Sequence, residues 1–336
     1  MKFLRRPLNL LAPLPRQIPA SAWLAVIACC KLLLVTGNAN AAESPKEWLE
    51  RMAHATQSTD YEGTVVRISG GKAEVLKVVH SVADGVVREK LIAQEGDGLE
   101  IIRNGNEVHC IIPGKRSVLI EEWNDQSTLF TTLPSRKISF GSEYDVRIVT
   151  EGRVAGRKSL TLAIKPHDQY RYEHRIWLDA ETAFPLQTQL IDAAGDAIEQ
   201  VKFADISLGN PIPSSALSPT NSTENFTWYN PPARSVKREI ESEWECDELP
   251  IGFELVSVQQ EQMPGSDEVV THMLYSDGLA SVSVFVAAKA GETPAKRSQV
   301  GASNSFSTVR GGYRITAVGE VPAVTVEKIA SSMRLR

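Results

Sequence analysis

The sequence predicts a mainly β protein of two lobes. The first is a long antiparallel sheet curled into a half-open barrel; the second is a small antiparallel sheet backed by a C-terminal helix. Three observations predict this. More than ten stretches alternate apolar and polar residues with a period of two, and Gly-Gly, Asp-Gly and Asn-Gly turns suited to tight hairpins separate several of them. Helical spacing is confined to one stretch ahead of this series and one at the end of the chain. Between the two series lies Leu208–Thr223, with three prolines among small polar residues. Proline lacks a backbone donor and holds its predecessor extended, so neither a helix nor a central strand runs through it. The expected organisation is a leader at 1–41, a first lobe at 42–207, a linker at 208–224 acting as a semi-stiff tether, and a second lobe at 225–336.

The leader reads as a secretory signal peptide. Arg5, Arg6 and Arg16 precede an apolar run from Ala20 to Val35, and Ala39-Asn40-Ala41 supplies small residues for cleavage. Lys31 interrupts the run, which is short for the ~20 residues of a membrane span. A rival lipoprotein-type cut at Val26-Ile27-Ala28-Cys29 would leave the apolar Leu32–Val35 on the mature chain. The leader holds five of the 36 basic residues (Lys2, Arg5, Arg6, Arg16, Lys31) and no acids, so its removal leaves 31 basic against 41 acidic, a net charge of −10. That balance argues against nucleic acid as a partner. Two cysteines remain, Cys110 and Cys246. An oxidising compartment permits a disulfide between them. Cys110, however, alternates with Val108 and Ile112 on what reads as a buried strand face, which favours free thiols.

Ser44-Pro45-Lys46-Glu47 is a capping box with proline at the first helical position, and Trp48, Leu49, Met52 and Ala53 give the helix one apolar stripe. Strands are predicted at Tyr61–Ser69, Ala73–Val82, Val86–Ile92, Leu99–Arg103, Asn106–Ile112 and Ser117–Glu121. Glu122–Pro134 breaks the pattern and sets Trp123, Phe130 and Leu133 among polar residues, either as a packed loop or as a lid over an apolar cavity. Strands resume at Arg136–Phe140, Tyr144–Thr150, Ser159–Lys165, Tyr170–Leu178, Leu186–Asp192 and Glu199–Phe203. So many strands with almost no helix favour a curled sheet that buries one face in itself.

These residues carry a resemblance. Val154-Ala155-Gly156-Arg157, Asp168-Gln169-Tyr170-Arg171-Tyr172 leading to Arg175-Ile176-Trp177-Leu178-Asp179, Thr182, Pro185-Leu186 and Glu199-Gln200 resemble the MucB/RseB family of periplasmic sigma-factor regulators. So do the opening helix and Tyr61-Glu62-Gly63-Thr64. The resemblance implies a first lobe similar to the lipoprotein carrier LolA, with an apolar interior.

In the second lobe, Phe226, Trp228 and Tyr229 cluster beside the linker and read as interlobe packing, with a peptide-binding patch as the alternative. Phe253–Gln259 and Tyr313–Val318 read as strands, Ser276-Asp277-Gly278 as a hairpin turn between Glu268–Tyr275 and Leu279–Val286, and Pro322 as the start of a helix with Val326, Ile329, Ala330 and Met333 on one face. Leu274 to Phe285 and Val318-Gly319-Glu320-Val321-Pro322 resemble the family again. Ala288–Ser307, rich in glycine and serine around Lys296-Arg297, reads as a mobile loop.

No nucleophile elbow, phosphate loop or Cys-x-x-Cys stands out, and the six histidines lack metal-binding spacing. The sequence therefore points to a binding protein, with no catalytic residue, cofactor or metal expected. By resemblance, its partners are the periplasmic domain of a MucA/RseA-like anti-sigma factor and a lipid or lipopolysaccharide that releases it; homo-oligomerisation stays open. The rival readings are a periplasmic lipid or lipoprotein carrier and an exported hydrolase. Side-chain chemistry nominates Trp123, Phe130 and Leu133 for an acyl-chain entrance. Arg171 and Arg175, four apart and so on one face of a strand, are nominated for anchoring phosphates. Tyr275 and Asp277, at the second-lobe hairpin, are nominated for partner contact, with turn formation the competing role for Asp277.

Overall fold

The first helix, α1 (Pro45–Ser58), forms where its capping box stands: the Ser44 hydroxyl accepts from Glu47 N at 3.3 Å, and Ser44 N donates to the Glu47 carboxylate at 2.6 Å. The structure is a computed structural model; it describes residues 43–122, 141–229, 238–239 in backbone only, 241–262, 268–288 and 294–336. The leader, the segment holding Trp123, Phe130 and Leu133, and the strand expected at Arg136–Phe140 lie outside the described residues.

The first lobe then builds β1 (Tyr61–Ser69), β2 (Lys72–Ala83), β3 (Val86–Ala93), β4 (Glu100–Asn104), β5 (Glu107–Ile112), β6 (Ser117–Glu122), β7 (Tyr144–Val154), β8 (Arg157–Pro166), β9 (Glu173–Asp179), β10 (Pro185–Ile191), β11 (Ala197–Leu208) and β12 (Thr227–Tyr229). They form one sheet in the order β12-β6-β5-β4-β3-β2-β1-β11-β10-β9-β8-β7. Asp84-Gly85 and Ala155-Gly156 place both central residues at positive φ, which a type I′ turn requires. The sheet curls around α1. Val154, from the last strand in that order, shares a core with Leu91 of β3, Val65, Phe184, Phe203 and Ala55 of the helix. Trp48, Leu49 and Met52 fill a second core against Leu162, Ile164, Ile176 and Leu178. With β12 and β7 as its two ends, the sheet is the half-open barrel that the sequence predicts.

The block that carries the resemblance is a folding device of this lobe. Arg157 reaches Asp179 at 2.6 Å, and the same carboxylate accepts from Thr182 N at 2.8 Å and the Thr182 hydroxyl at 2.9 Å. Burial alone would raise the Asp179 pKa; Arg157 and the Thr182 donors outweigh it and hold the carboxyl below its ordinary value.

The proline-rich stretch differs from the tether expected. Its residues run back over the outer face of the first-lobe sheet, where Lys90 Nζ donates to Ser218 O at 2.6 Å and to the Thr220 hydroxyl at 2.9 Å, while Thr220 N donates to Glu100 at 3.0 Å. Lys90 and Glu100 are themselves a buried pair, 3.4 Å apart. The segment ends as β12, which pairs parallel with β6 and leaves Trp228 47% and Tyr229 57% exposed. Trp228 packs edge-on to His109 of the same lobe at 5.4 Å, so the aromatic cluster is not interlobe packing as expected. Proline sets local geometry; the clamp is made by residues more than a hundred positions earlier.

The second lobe holds β13 (Arg238–Glu239), β14 (Trp244–Cys246), β15 (Glu254–Gln262), β16 (Val269–Ser276), β17 (Ser281–Ala287), β18 (Lys296–Val300), β19 (Ser303–Arg310), β20 (Tyr313–Gly319), α2 (Ala323–Ser331) and β21 (Met333–Leu335). Seven strands form a sheet in the order β13-β15-β16-β17-β20-β19-β18, and β14 pairs with β21. Its core joins Met273, Tyr275, Val282, Val284 and Ile315 to Val326, Ile329 and Ala330 of α2. The expected mobile loop contains the β18–β19 hairpin. Small polar composition suggested a loop, but Asn304 and Phe306 are buried two apart, the mark of a half-covered strand. Cys110 and Cys246 are both free and half-buried.

Candidate functional site

Two features of Ser44–Arg336, which packs as one compact unit, can recognise another molecule: the inner face of the curled sheet and the seam between the lobes. Residues directly opposite on neighbouring strands share a face, so the pairings Gly63–Val78–Leu91–Ile101–Cys110–Leu119 trace one inner row. Val78 and Leu91 are buried under the core around α1, whereas Ile101, Cys110 and Leu119 are only partly covered. The next row on the same face runs Tyr61–His80–Glu89–Arg103. It is a buried polar cluster in which His80 Nδ1 lies 3.0 Å from Glu89 and Arg103 lies 3.4 Å from the same carboxylate. The His80 ring stacks on Tyr61 with centroids 4.6 Å apart. The partly covered strip is apolar surface of the kind an acyl chain packs on, and the polar cluster beside it is buried among its own partners.

At the seam, Arg171 comes from the turn before β9 and Asp277 from the turn between β16 and β17. Both side chains are fully buried, and they are joined by an ion pair. The guanidinium also donates to Asp168 and to Ile251 O, and its centre lies 4.8 Å from the Phe253 ring and 5.5 Å from the Tyr144 ring. Asp277 uses both oxygens: Oδ1 accepts from Leu279 N at 2.9 Å and Ala280 N at 2.7 Å, closing its own turn, while Oδ2 takes Arg171 and the Tyr144 hydroxyl, the latter at 2.8 Å. Burial first, and then the Asp277 carboxylate, raise the Tyr144 pKa far beyond the ordinary phenol, so Tyr144 stays a donor. Around this pair, Thr325 Oγ1 donates to Tyr170 O at 2.7 Å, Asn304 donates to the Tyr172 hydroxyl at 3.0 Å, and Leu279 packs on the core beneath α1.

His174, three residues after Arg171 in β9, makes the stability of the fold depend on pH. It pairs across the sheet with Ile164 and Leu190, and removal from water pushes its pKa down to about 4, with Asp277 opposing the shift. The folded value lies below the unfolded ~6.5. Stability from the neutral ring is therefore present above pH ~6.5 and lost as pH falls towards 4. In thermal melts across that window, His174→Gln is expected to flatten the fall of Tm with acidity; an unchanged slope would assign the fall to other groups.

The nominated residues are placed differently from what strand periodicity suggested. Arg171 and Arg175 do not form a shared anchor: Arg171 precedes β9 and is neutralised at the seam by two carboxylates, while Arg175 lies partly exposed and bonds Glu173 at 2.7 Å. Tyr275 is 2% exposed, with its hydroxyl among the sulfurs of Met273 and Met333. Asp277 makes the turn expected of it and joins the lobes as well. Tyr144, Tyr172, Asn304 and Thr325 carried no local signal, because their partners lie more than a hundred residues away in sequence. Among the described residues there is no cluster of metal-ligating groups, and no helix is long and apolar enough to cross a membrane.

The MucB/RseB N-terminal domain matches residues 44–221, and the MucB/RseB C-terminal domain matches residues 238–334. The chain belongs to the MucB/RseB family. Among its MucB/RseB relatives is the sigma factor AlgU regulatory protein MucB of Pseudomonas aeruginosa, 32% identical over 320 residues, covering 90% of this chain and 96% of MucB. The sigma-E factor regulatory protein RseB of Salmonella typhimurium is 28% identical, covering 94% and 98%. Among solved structures, the complex of Pseudomonas aeruginosa MucA and MucB overlays with a TM-score of 0.68 at 29% identity, covering 87% of this chain and 99% of MucB. The crystal structure of MucB covers 89% and 99% at the same identity, with a TM-score of 0.56. The MucB/RseB division between residues 221 and 238 agrees with the strap ending on the first lobe at Tyr229.

Proposed function

We propose that this protein is a periplasmic negative regulator of an extracytoplasmic-stress sigma factor. It binds the periplasmic part of a membrane anti-sigma factor, shields it from proteolysis, and lets it go when a lipid or lipopolysaccharide binds. One observation carries the reading: the chain spans nearly all of a relative named as a sigma-factor regulator, and it overlays on that relative in complex with MucA. The signal-peptide pattern at 1–41 supports export. The partly covered Ile101–Cys110–Leu119 strip supports an acyl chain on the inner face, and Trp123, Phe130 and Leu133 keep the entrance role that their chemistry suggests.

Release follows from linkage. A lipid that prefers the free regulator lowers the population of the complex by the ratio of its two affinities. A carrier of lipid or lipoprotein needs the inner strip alone and gains nothing from a second lobe; the presence of that lobe favours the regulator. The test is protection. Full-length anti-sigma factor in vesicles, treated with a periplasmic protease from the same genome, is expected to survive when residues 42–336 are present and to be cut once lipopolysaccharide is added. Equal cleavage with and without the protein would overturn the regulator.

A further inference from the structure

We propose that the Arg171–Asp277 pair is a latch that positions the two lobes to receive the anti-sigma segment, an inference that rests on the regulatory reading above. Tyr170-Arg171-Tyr172 and Ser276-Asp277-Gly278, each within a block that carries the family resemblance, stand 106 positions apart at their charged residues and meet in one fully buried ion pair. Neither residue serves only its own lobe. Arg171 reaches Ile251 O and Phe253 as well as Asp277, and Asp277 holds the Tyr144 hydroxyl as well as its own turn.

Around the pair the seam also holds hydrogen bonds of Thr325 to Tyr170 and Asn304 to Tyr172, Lys328 over the Tyr170 ring, an apolar contact of Ala302 with Tyr172 and Leu190, and Leu279 on the core beneath α1. The closed seam also carries a cost. Glu143 packs its carboxylate against Gly252, and its Oε2 is buried with no partner among the described residues. Among these contacts the Arg171–Asp277 pair is the fully buried ion pair at the centre, and the orphaned Glu143 oxygen beside it is a cost of keeping the seam shut. The arrangement of this chain overlays on the MucA–MucB complex with a TM-score of 0.68 and on the crystal structure of MucB with one of 0.56.

The latch acts by population: if its loss leaves about a tenth of molecules in the receiving arrangement, apparent affinity falls about tenfold. The test uses the mature chain with Asp277→Asn, which keeps an acceptor for the turn amides and removes the charge. Small-angle X-ray scattering and calorimetric titration with the anti-sigma periplasmic segment are the readouts. The latch predicts a larger radius of gyration and about tenfold weaker binding, with native circular dichroism retained. Unchanged scattering with unchanged or tighter binding would overturn it, as would a lower Tm without any change in scattering, since a merely structural residue gives that pattern. Should Asp277→Asn not fold, Tyr144→Phe removes one bond to the same carboxylate and is expected to shift both readouts in the same direction; no shift overturns the latch equally. Failure of the unmodified chain to bind the segment would instead count against the regulatory reading, and the scattering comparison would still judge the latch.

Discussion

Asp277→Ala is expected to lower stability by about 3 kcal/mol, read as a fall in Tm of roughly 10 °C. The substitution strips three things at once. It leaves the Arg171 guanidinium buried without its interlobe counter-ion, removes the Asp277 acceptor of the Tyr144 hydroxyl, and removes the acceptor that closes the turn through Leu279 N and Ala280 N. Removing one member of a buried pair costs more than the pair contributes, because a charge remains in a place that water does not reach. Asp168, whose side chain is partly exposed, stays bonded to Arg171 and keeps the loss towards the lower end of the usual range. Asp277→Asn should lose clearly less, since it retains the turn acceptor. If Asp277→Ala melted within about 1 kcal/mol of the unmodified chain, the seam would have to admit water at Arg171.

Gly63→Ala is expected to cost a similar amount, about 3 kcal/mol, by a different route. Gly63 lies in β1 beside a register shift between Thr64 and Val65, where β11 comes unusually close. An added Cβ would sit 2.4 Å from Asp205 O and 3.1 Å from the Ile206 Cα. Both are backbone atoms in a paired strand, so relief requires moving β11 and disturbing a ladder at the middle of the twelve-stranded sheet. Urea unfolding should show a lower midpoint with an unchanged slope. An unchanged midpoint would show that β11 yields freely at this point. The position also gives a physical reason for glycine in the Tyr61-Glu62-Gly63-Thr64 motif, which the sequence presented only as a resemblance.

What was legible in the sequence is what neighbours in the chain decide. The Ser44–Glu47 box, the apolar stripe of α1, the Asp84-Gly85 turn and the hairpin at Ser276-Asp277-Gly278 all depend on residues within a few positions of each other, and each forms where expected. Lys90 and Ser218, Arg171 and Asp277, and Tyr172 and Asn304 meet across more than a hundred residues, and no local period announces them. The linker was read from proline, which dictates what a segment cannot become but not what it lies against. The serine and glycine content of Ala288–Ser307 suggests a loop, although Asn304 and Phe306 carry a weak alternation that marks a strand. Arg171 and Arg175 were paired by strand parity, and the parity failed because the strand begins at Glu173, between them.

Calorimetric titration of residues 42–336 with the periplasmic segment of the anti-sigma factor from the same genome, alone and with lipopolysaccharide present, is the decisive measurement. The regulator should show saturable binding that weakens as lipopolysaccharide is added, with the two ligands lowering each other's affinity by the same factor. Binding of equal strength with and without the lipid would contradict lipid-driven release, and no binding in either condition would contradict the regulator itself.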